Sequence, residues 1–433
     1  DDGHSEEEAA AHTVITIAKA GTYRVSGTLS KGQIAIDLGE DSRDDESAVV
    51  NLILDNADIT CTVSSAIVVY NAYECGSDDT ETATKDVDTT NAGVHIILAD
   101  DSENTVTGSH VAKIYKEGTT QEDVDAGKAK KQWKFDAAIE SLVSIAFDAE
   151  EEGTGSLAVN SDNEGIETYL HLTVNGGNIN INSFDDGINA NEDGVSVITI
   201  NGGVVTVNAG AGQEGDGIDS NGWIVINDGF IVTAANATSP DSGVDSDNGI
   251  YINGGTLLAS GNMYDEVSND SEQAFVVLSF ADSIEAGQMF ALKNADGDVI
   301  TAFSAANDFQ TLVYSSSELV DGDYTLYEIS SAEGTEVSGL YIEVTSIEDE
   351  TQLQYGSKNA GGFGGNGGAP MGGQAPNGQE GEAPSMPEGE MPSKPEGEAP
   401  DMAQIGDEEG GTVFTISGIT NTFSNISKAT TSE

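Results

Sequence analysis

Carboxylate side chains recur at matching positions in the middle of this chain. Residues 163–166, 185–188, 215–218 and 241–244 each place a glycine before an isoleucine or valine, and residues 136–139 are a degenerate copy. Directly before the glycine stand Glu164, Asp186 and Asp216, with Asp185 beside Asp186. Directly after the aliphatic residue stand Glu140, Glu167, Asn189, Asp219 and Asp245. Carboxylate and amide oxygens are ligands that Ca²⁺ prefers, so both sets are candidates for binding it.

These residues would form two columns if equivalent turns stack in the folded chain. Stacked strands lie about 4.8 Å apart. Two unit charges at that distance repel by about 1 kcal/mol in water and by about 3 to 4 kcal/mol at an effective dielectric of 20. A Ca²⁺ ion with oxygen ligands at about 2.3 to 2.6 Å spans the same distance and would compensate the repulsion. We therefore predict Ca²⁺ as a cofactor, with these ligands: Glu164, Glu167, Asp185, Asp186, Asn189, Asp216, Asp219 and Asp245. The alternative is a set of solvated turn residues, because Asp, Asn and Gly are favoured in turns without any metal.

A repeat of 26 residues supplies the elements that would stack these turns. Asn-Gly-Gly or Asn-Asp-Gly recurs at 175–177, 201–203, 227–229 and 253–255. The aliphatic residues before each turn keep the same offset: Leu172, Ile198, Ile224 and Ile250. Alternating apolar residues rich in β-branched side chains predict strands, and a fixed period of this length predicts a solenoid of parallel strands.

The composition divides the chain into five segments. Residues 1–12 form an acidic N-terminal tail, 13–270 the predicted β-helix and 271–356 a C-terminal subdomain of antiparallel strands. Residues 357–410 are rich in Gly, Pro and Glu, a composition that cannot build a core. The last segment, 411–433, alternates like a half-buried strand from Thr412 to Ile426. We expect that strand to dock on its own chain or on a neighbouring copy.

Three aromatic residues fall at positions that point outward in the predicted register, namely Trp223, Tyr251 and Phe230. Aromatic faces on adjacent strands could form a platform for sugar rings. The alternative is that loops or the C-terminal subdomain cover them. The lysines Lys128, Lys130, Lys131 and Lys134, with Trp133, form either a patch for an acidic polymer or a solvated loop.

The charge limits which partners the chain can bind. It contains 15 Lys and Arg against 76 Asp and Glu, which gives a net charge of −61. Such a field repels nucleic acid and anionic lipid, and no apolar stretch approaches the length of a membrane span. Cys61 and Cys75 either form a disulfide or remain two buried thiols. We expect a secreted or extracellular protein, free or associated with the cell surface.

The sequence resembles a family of bacterial secreted proteins, the carbohydrate-binding-domain-containing β-helix proteins. The resemblance lies in the Asp-Gly-Ile corners at 186–188 and 216–218, the Thr-Ile-Asn-Gly-Gly turn at 199–203 and the segment 274–327 that follows, and it covers about residues 13–350. It implies a pectate-lyase-like, right-handed parallel β-helix with Ca²⁺ at its corners that binds plant polysaccharides without cleaving them. The long insertion at 357–410 departs from the family pattern.

These observations predict a non-catalytic, calcium-dependent binder of extracellular polysaccharide, either a pectin-like uronate polymer or a cellulose-like glucan. A pectate-lyase-like reaction needs a basic residue beside the metal, and the chain has no Lys or Arg between Phe135 and Leu292. Paired carboxylates leave a glycosidase as the remaining catalytic alternative. The rival from another class is a structural protein whose copies associate into an extracellular fibre or surface layer by strand addition or end stacking.

Overall fold

A computed structural model describes residues 4–87, 89–111, 118–121, 123, 135–358 and 409–429. In this part of the chain the fold is all-β with almost no helix, and its large sheets are mixed. One helix turn, α1 (Glu6–Ala10), lies in the predicted acidic tail and is closed by reciprocal hydrogen bonds between Ser5 and Glu8. A 3₁₀ helix covers Glu40–Asp44.

No helix of the described residues is long and apolar enough to cross a membrane. The predicted lysine cluster and most of the predicted insertion lie outside the described residues.

The first two thirds of the chain form short strands. They are β1 (Thr13–Ile17), β2 (Gly21–Leu29), β3 (Gly32–Asp37), β4 (Val50–Thr60), β5 (Ile67–Asn71), β6 (Val94–Leu98), β7 (Glu103–Gly108), β8 (Ala137–Ser141), β9 (Ile145–Ala149), β10 (Ser156–Ser161), β11 (Glu164–Thr168), β12 (His171–Val174), β13 (Asn178–Asn182), β14 (Ile188–Ala190), β15 (Val197–Ile200), β16 (Val204–Asn208), β17 (Ile218–Ser220), β18 (Trp223–Ile226), β19 (Phe230–Ala234), β20 (Val244–Ser246), β21 (Gly249–Ile252) and β22 (Thr256–Gly261).

Each group of three strands from β11 to β22 pairs in parallel with the next group. The first strands join an eight-stranded parallel sheet in the order β1, β3, β5, β8, β11, β14, β17 and β20. The second strands, β12, β15, β18 and β21, pair so that Leu172, Ile198, Ile224 and Ile250 are successive partners. All four side chains have no exposed surface, so the repeat builds a continuous aliphatic core.

The turns after the second strands are joined by an asparagine ladder. Each side-chain amide donates to the side-chain oxygen of the preceding turn, from Asn201 to Asn175 at 3.0 Å and from Asn227 to Asn201 and Asn253 to Asn227 at 2.9 Å. The glycine that ends each turn has positive φ, for example 82° at Gly203. The Asn-Gly-Gly repeat therefore supplies the asparagine that forms the side-chain ladder and the glycine that adopts the left-handed turn.

The rest of the described chain forms mostly antiparallel strands. They are β23 (Phe275–Ile284), β24 (Met289–Asn294), β25 (Val299–Phe303), β26 (Phe309–Ser315), β27 (Gly322–Ile329), β28 (Ser331–Val337), β29 (Leu340–Glu348), β30 (Thr351–Lys358), β31 (Glu409–Gly411), β32 (Phe414–Ile416) and β33 (Thr420–Lys428). Strand β26 pairs antiparallel with both β22 and β23 and so joins this region to the parallel strands. Its aromatic-rich core includes Val232 and Leu258 of the parallel part.

The predicted terminal strand lies on its own chain. It is split into β32 and β33, and β33 pairs in parallel with β23 and antiparallel with β30. The exposed Val413 and the buried Phe414 and Ile416 show the alternation expected of a half-buried strand.

Replacement of Phe423 by Ala is expected to destabilise the protein by about 3 to 5 kcal/mol, because a fully buried ring is removed from a packed core. Phe423 has no exposed surface, and its ring lies 4.9 Å from that of Phe414 and 5.0 Å from that of Tyr355. Denaturant unfolding measures the loss. Val413→Ala is the control, because Val413 is 47% exposed and its truncation leaves no cavity. An equal loss in both variants would contradict the docked position of β33.

Candidate functional site

The second predicted column of polar residues lies in register on the first strands. Glu140 pairs with Glu167, Glu167 with Asn189, Asn189 with Asp219, and Asp219 with Asp245. Each of these residues follows an inward aliphatic side chain such as Ile166 or Ile188, so they share the opposite face of the sheet. The structure thus brings together the predicted ligands of this column as neighbours on successive strands.

In the first predicted column, Asp186 and Asp216 lie in the turns that precede these strands, and Glu164 is the first residue of β11. The backbone amides of Gly165 and Gly187 donate to the carbonyl oxygens of Asp186 and Asp216, at 2.9 and 3.0 Å. In addition, Asp186 Oδ1 accepts from the backbone amide of Asp216 at 2.7 Å, and Asp216 Oδ1 accepts from that of Ser242 at 2.6 Å. One oxygen of each aspartate therefore holds the next turn in place, which leaves the other oxygen for a ligand.

Burial makes the charged form of these carboxylates costly. It raises the pKa of Glu140, Glu164, Glu167 and Asp186 well above the usual range, and neighbouring acids add to the effect. Burial, followed by repulsion from other carboxylates, raises the pKa of Asp216 to about 9, that of Asp219 to about 8 and that of Asp245 to about 6. Burial also raises the pKa of Asp185. The charged side chains that contribute to these shifts are all acidic, so the two columns together, called the acidic column below, require protons or cations to be stable at neutral pH.

The donor chemistry of the column fits a hard divalent cation. Glu164 Oε2 and Asn189 Oδ1 are buried oxygen atoms without a hydrogen-bond partner, and such atoms are costly unless a ligand satisfies them. All side chains of the column offer oxygen, as Ca²⁺ requires. Within the described residues, however, no three acidic, His or Cys side chains already converge as a metal cage. The ligand set that the sequence predicts is thus stacked in the structure, but not arranged around one point.

A pocket of about 730 Å³ opens at the C-terminal end of the column. Its lining includes Tyr251, Tyr264, Asp247 and Asp265, and the last two raise the pKa of Asp245 further after burial has raised it. Asp265 also accepts a hydrogen bond from the backbone amide of Ser246 at 3.2 Å. Tyr264 and Asp265 follow the last repeat and belong to no periodic column, so the spacing of residues in the sequence does not indicate them.

The three predicted aromatic residues have different environments. Tyr251 lines the acidic pocket, with Lys85 Nζ 5.0 Å from its ring centre. Trp223 is half-buried on the adjacent strand β18. It lies two positions before Val225, the residue that pairs with Tyr251. Phe230 is half-buried, and its side chain packs against the core of the C-terminal region.

Of the two alternatives for the cysteines, the structure holds Cys61 and Cys75 as two thiols rather than as a disulfide. Cys61 is 2% exposed and belongs to the aliphatic core, whereas Cys75 is half-buried in the loop after β5. Burial raises the pKa of the Cys61 thiol, as expected for a structural rather than a reactive cysteine.

His171 is the histidine nearest to the acidic columns in sequence. It is 2% exposed, and neither ring nitrogen has a hydrogen-bond partner. Burial lowers the pKa of His171 to about 4, so the ring is neutral at physiological pH. Without a hydrogen-bonded carboxylate or nucleophile, this histidine does not form the arrangement that proton-transfer catalysis uses.

Comparison with known proteins gives one family and two similar proteins. The family model of "Carbohydrate-binding domain-containing protein" matches residues 11–92 and 79–318. A curated protein of that description from Acetivibrio thermocellus is 31% identical over 168 residues, which are 39% of this chain and 44% of the relative. The match thus spans less than half the length of that relative. A solved structure of a polysaccharide lyase-like protein from C. thermocellum, a gadolinium derivative, is 25% identical, covers 56% of this chain and 79% of its own, and has a TM-score of 0.36.

Proposed function

Because the chain belongs to the family of carbohydrate-binding domain-containing proteins, we propose that it binds extracellular polysaccharide, without catalysis and with the help of Ca²⁺. We propose as its scaffold a right-handed parallel β-helix, which the parallel register of β11 to β22 supports. The protein acts outside the cell, free or at the cell surface, where millimolar Ca²⁺ suits weak oxygen sites.

The observation that carries the calcium proposal is a column of buried carboxylates whose neighbours are also carboxylates. Glu164, Glu167, Asp186, Asp216 and Asp219 all have raised pKa values because of burial and then mutual repulsion. Divalent cations between successive strands would neutralise these charges and satisfy the open oxygens of Glu164 and Asn189. Asp245 follows Asp219 in the second column, Asp185 adjoins Asp186 in the first, and both complete the proposed set of ligands.

The acidic pocket supports sugar binding at the end of this column. Tyr251 and Tyr264 offer aromatic surface, and the neighbouring Asp265 and Asp247 offer oxygen atoms to a bridging Ca²⁺ ion. A uronate polymer carries the same sign of charge as the protein, so it could approach this pocket only through bound cations. A pectin-like uronate polymer bridged by Ca²⁺ and a cellulose-like glucan stacked on the aromatic rings are the two candidate ligands.

The protein is expected to bind polygalacturonate at least about tenfold more tightly in Ca²⁺ than in chelator, a difference of about 1.4 kcal/mol. Tyr251→Ala and Tyr264→Ala should weaken binding, whereas Tyr327→Ala in the C-terminal sheet should not. The measurement is depletion from solution by each polymer. No unsaturated or reducing products should accumulate, because the chain has no Lys or Arg between Phe135 and Leu292, and Lys85 over the Tyr251 ring is held in an ion pair with Asp86. Product release would overturn the non-catalytic assignment, and unchanged depletion by polygalacturonate in chelator would overturn the calcium dependence.

A second candidate function is self-association through the N-terminal end of the strand stack. Val14 and Ile15 on the edge strand β1 are 57% and 47% exposed. Beside them a cavity of about 640 Å³ is lined by Ile17, Tyr23, Val25 and other apolar residues, together with the polar residues Thr22, Arg24, Ser26 and Thr28. The opposite end is covered, because β26 pairs with β22. Exposed edges and apolar ends favour association with another copy, and one open end per chain favours pairs over long fibres.

Ile15→Asp is expected to abolish any concentration-dependent dimer, because a charge would be buried in the apolar contact. Sedimentation velocity over a hundredfold concentration range measures the assembly state. Val320→Asp places the same charge at another apolar residue that is 59% exposed, and it should leave the assembly unchanged. A wild-type protein that stays monomeric throughout this range would eliminate the second candidate.

A further inference from the structure

A polar groove lies on a face of the molecule that is distinct from the acidic column. Its floor is the outward side of β7, β10, β13 and β16. There, Thr105 pairs with Ala158, Ala158 with Asn180, and Asn180 with Thr206. Their chain neighbours Val106, Leu157, Ile179 and Val205 are buried in the aliphatic core, so the floor residues point away from it. A second row runs parallel to the first: Thr107, Asn160, Asn182 and Asn208.

The wall of this groove comes from the C-terminal region. The turn between β28 and β29 lies over the floor, and the backbone amide of Ser304 donates to the carbonyl oxygen of Gly339 in that turn at 2.8 Å. Asn307 Nδ2 donates to Asn208 Oδ1 at 2.9 Å and to the carbonyl oxygen of Ala235 at 2.8 Å. These contacts fix the wall to the floor, so the groove is formed before any ligand arrives.

Two cavities of about 420 and 450 Å³ make up the groove. Both are lined by Asn180, Thr206 and Ser338, so they adjoin at that point. Each volume lies in the range of small-molecule sites, and together they extend over several successive strands. Because strands repeat about every 4.8 Å, the polar side chains recur at about the length of one sugar unit in an extended chain.

The chemistry of the lining favours an uncharged sugar. Among the described residues that line the two cavities, the charged ones are Glu103 and Glu336, and no Lys or Arg is present. The exposed amides of the floor are held in place, since Asn180 Nδ2 donates to Thr206 Oγ1 at 2.7 Å and Asn182 Nδ2 donates to Asn180 Oδ1 at 3.1 Å. Their remaining donor and acceptor positions suit hydroxyl groups, and the half-buried Tyr341 on the wall offers an aromatic face to a sugar ring.

We propose that this groove binds an extended, neutral polysaccharide chain without a metal ion, as a second sugar site beside the calcium-dependent pocket. The inference rests on the proposed carbohydrate-binding function and assigns the neutral ligand to the groove. Polyuronates are excluded from it, because the groove offers no cation to a polymer that has the same sign of charge as the protein.

Affinity electrophoresis in chelator tests the groove, with soluble neutral glycans such as xylan, mixed-linkage glucan and glucomannan in one series of gels and polygalacturonate in another. The wild-type protein should be retarded by at least one neutral glycan, equally in chelator and in Ca²⁺. The double variant Asn180→Ala and Asn182→Ala, and separately Tyr341→Ala, should weaken that retardation at least about tenfold. Asn253→Ala, on the asparagine ladder, is the matched control and should bind like the wild type. Melting curves identify any variant that has lost its fold.

The outcomes separate this inference from the proposed function. Retardation by a neutral glycan that survives all groove substitutions would overturn the groove assignment and leave sugar binding intact. Retardation by polygalacturonate alone, and only in Ca²⁺, would likewise overturn the groove and retain the acidic pocket. An absence of retardation by every polymer in both buffers would overturn the proposed function together with this site.

Discussion

Removal of Ca²⁺ is expected to lower the melting temperature by about 5 to 10 °C. A ligand present at about 100 times its dissociation constant stabilises a protein by about 2.7 kcal/mol per site, and about 1 kcal/mol shifts the melting temperature of a large domain by about 2 to 4 °C. The stabilisation comes from relief of repulsion between the acidic side chains, where burial first and then Asp186 and Asp245 raise the pKa values of both Asp216 and Asp219. Calorimetry in chelator and at increasing Ca²⁺ concentrations measures the shift.

The triple variant Asp186→Asn, Asp216→Asn and Asp219→Asn should lose most of this calcium response while it remains folded. Asparagine keeps the oxygen that accepts from the next turn, at 2.7 Å for Asp186 and 2.6 Å for Asp216. It also removes the buried charge, so in chelator the variant should melt at or above the wild-type temperature. The matched control replaces three exposed aspartates on other surfaces, Asp228, Asp282 and Asp296, by asparagine. A full calcium response in the triple variant would place the ligands elsewhere.

The sequence predicted the register of the site because the repeat itself encodes it. Glu167, Asn189, Asp219 and Asp245 are separated by 22, 30 and 26 residues, yet they are paired neighbours in the structure. The glycine and aliphatic residue before each of them identify the strand, since both must fit a turn and an inward position. Insertions change the length of the loops but not the pairing of the strands.

The parts that the sequence did not predict depend on contacts between distant segments. Phe230 is outward on its own strand, and only the packing of the C-terminal region against β19 covers it. Tyr264 and Asp265 follow the repeat without a periodic partner, and the groove wall requires the turn at 337–339 to lie over strands that precede it by more than 100 residues. Cys61 and Cys75 are close in sequence, but one faces the core and the other a surface loop. Local spacing carries no information on such contacts.

The calcium-free protein is expected to become less stable as the pH rises from about 5 to 8. Burial and neighbouring acids raise the pKa of Asp216 to about 9 and that of Asp219 to about 8, against about 3.9 in the unfolded chain. The folded state therefore binds more protons than the unfolded state over this range, and its stability falls with increasing pH. For one such carboxyl the loss between pH 5 and pH 8 is about 4 kcal/mol, and coupling between the two groups makes their sum smaller than twice that value.

His171 opposes this trend on the acidic side. Burial lowers its pKa to about 4, below the usual value of about 6.5, so its contribution to stability is lost as the pH falls from about 6.5 to about 4. At least two carboxylates act against this single imidazole, so the stability of the calcium-free protein should still rise as the pH falls from 8 to about 4. With saturating Ca²⁺ the slope between pH 5 and 8 should reverse, because metal binding requires ionised carboxylates and strengthens as they lose protons. Melting temperatures measured in chelator and in Ca²⁺ across this range provide the test. A chelator curve that is flat or rises toward pH 8 would show that the buried carboxylates do not carry the assigned pKa values.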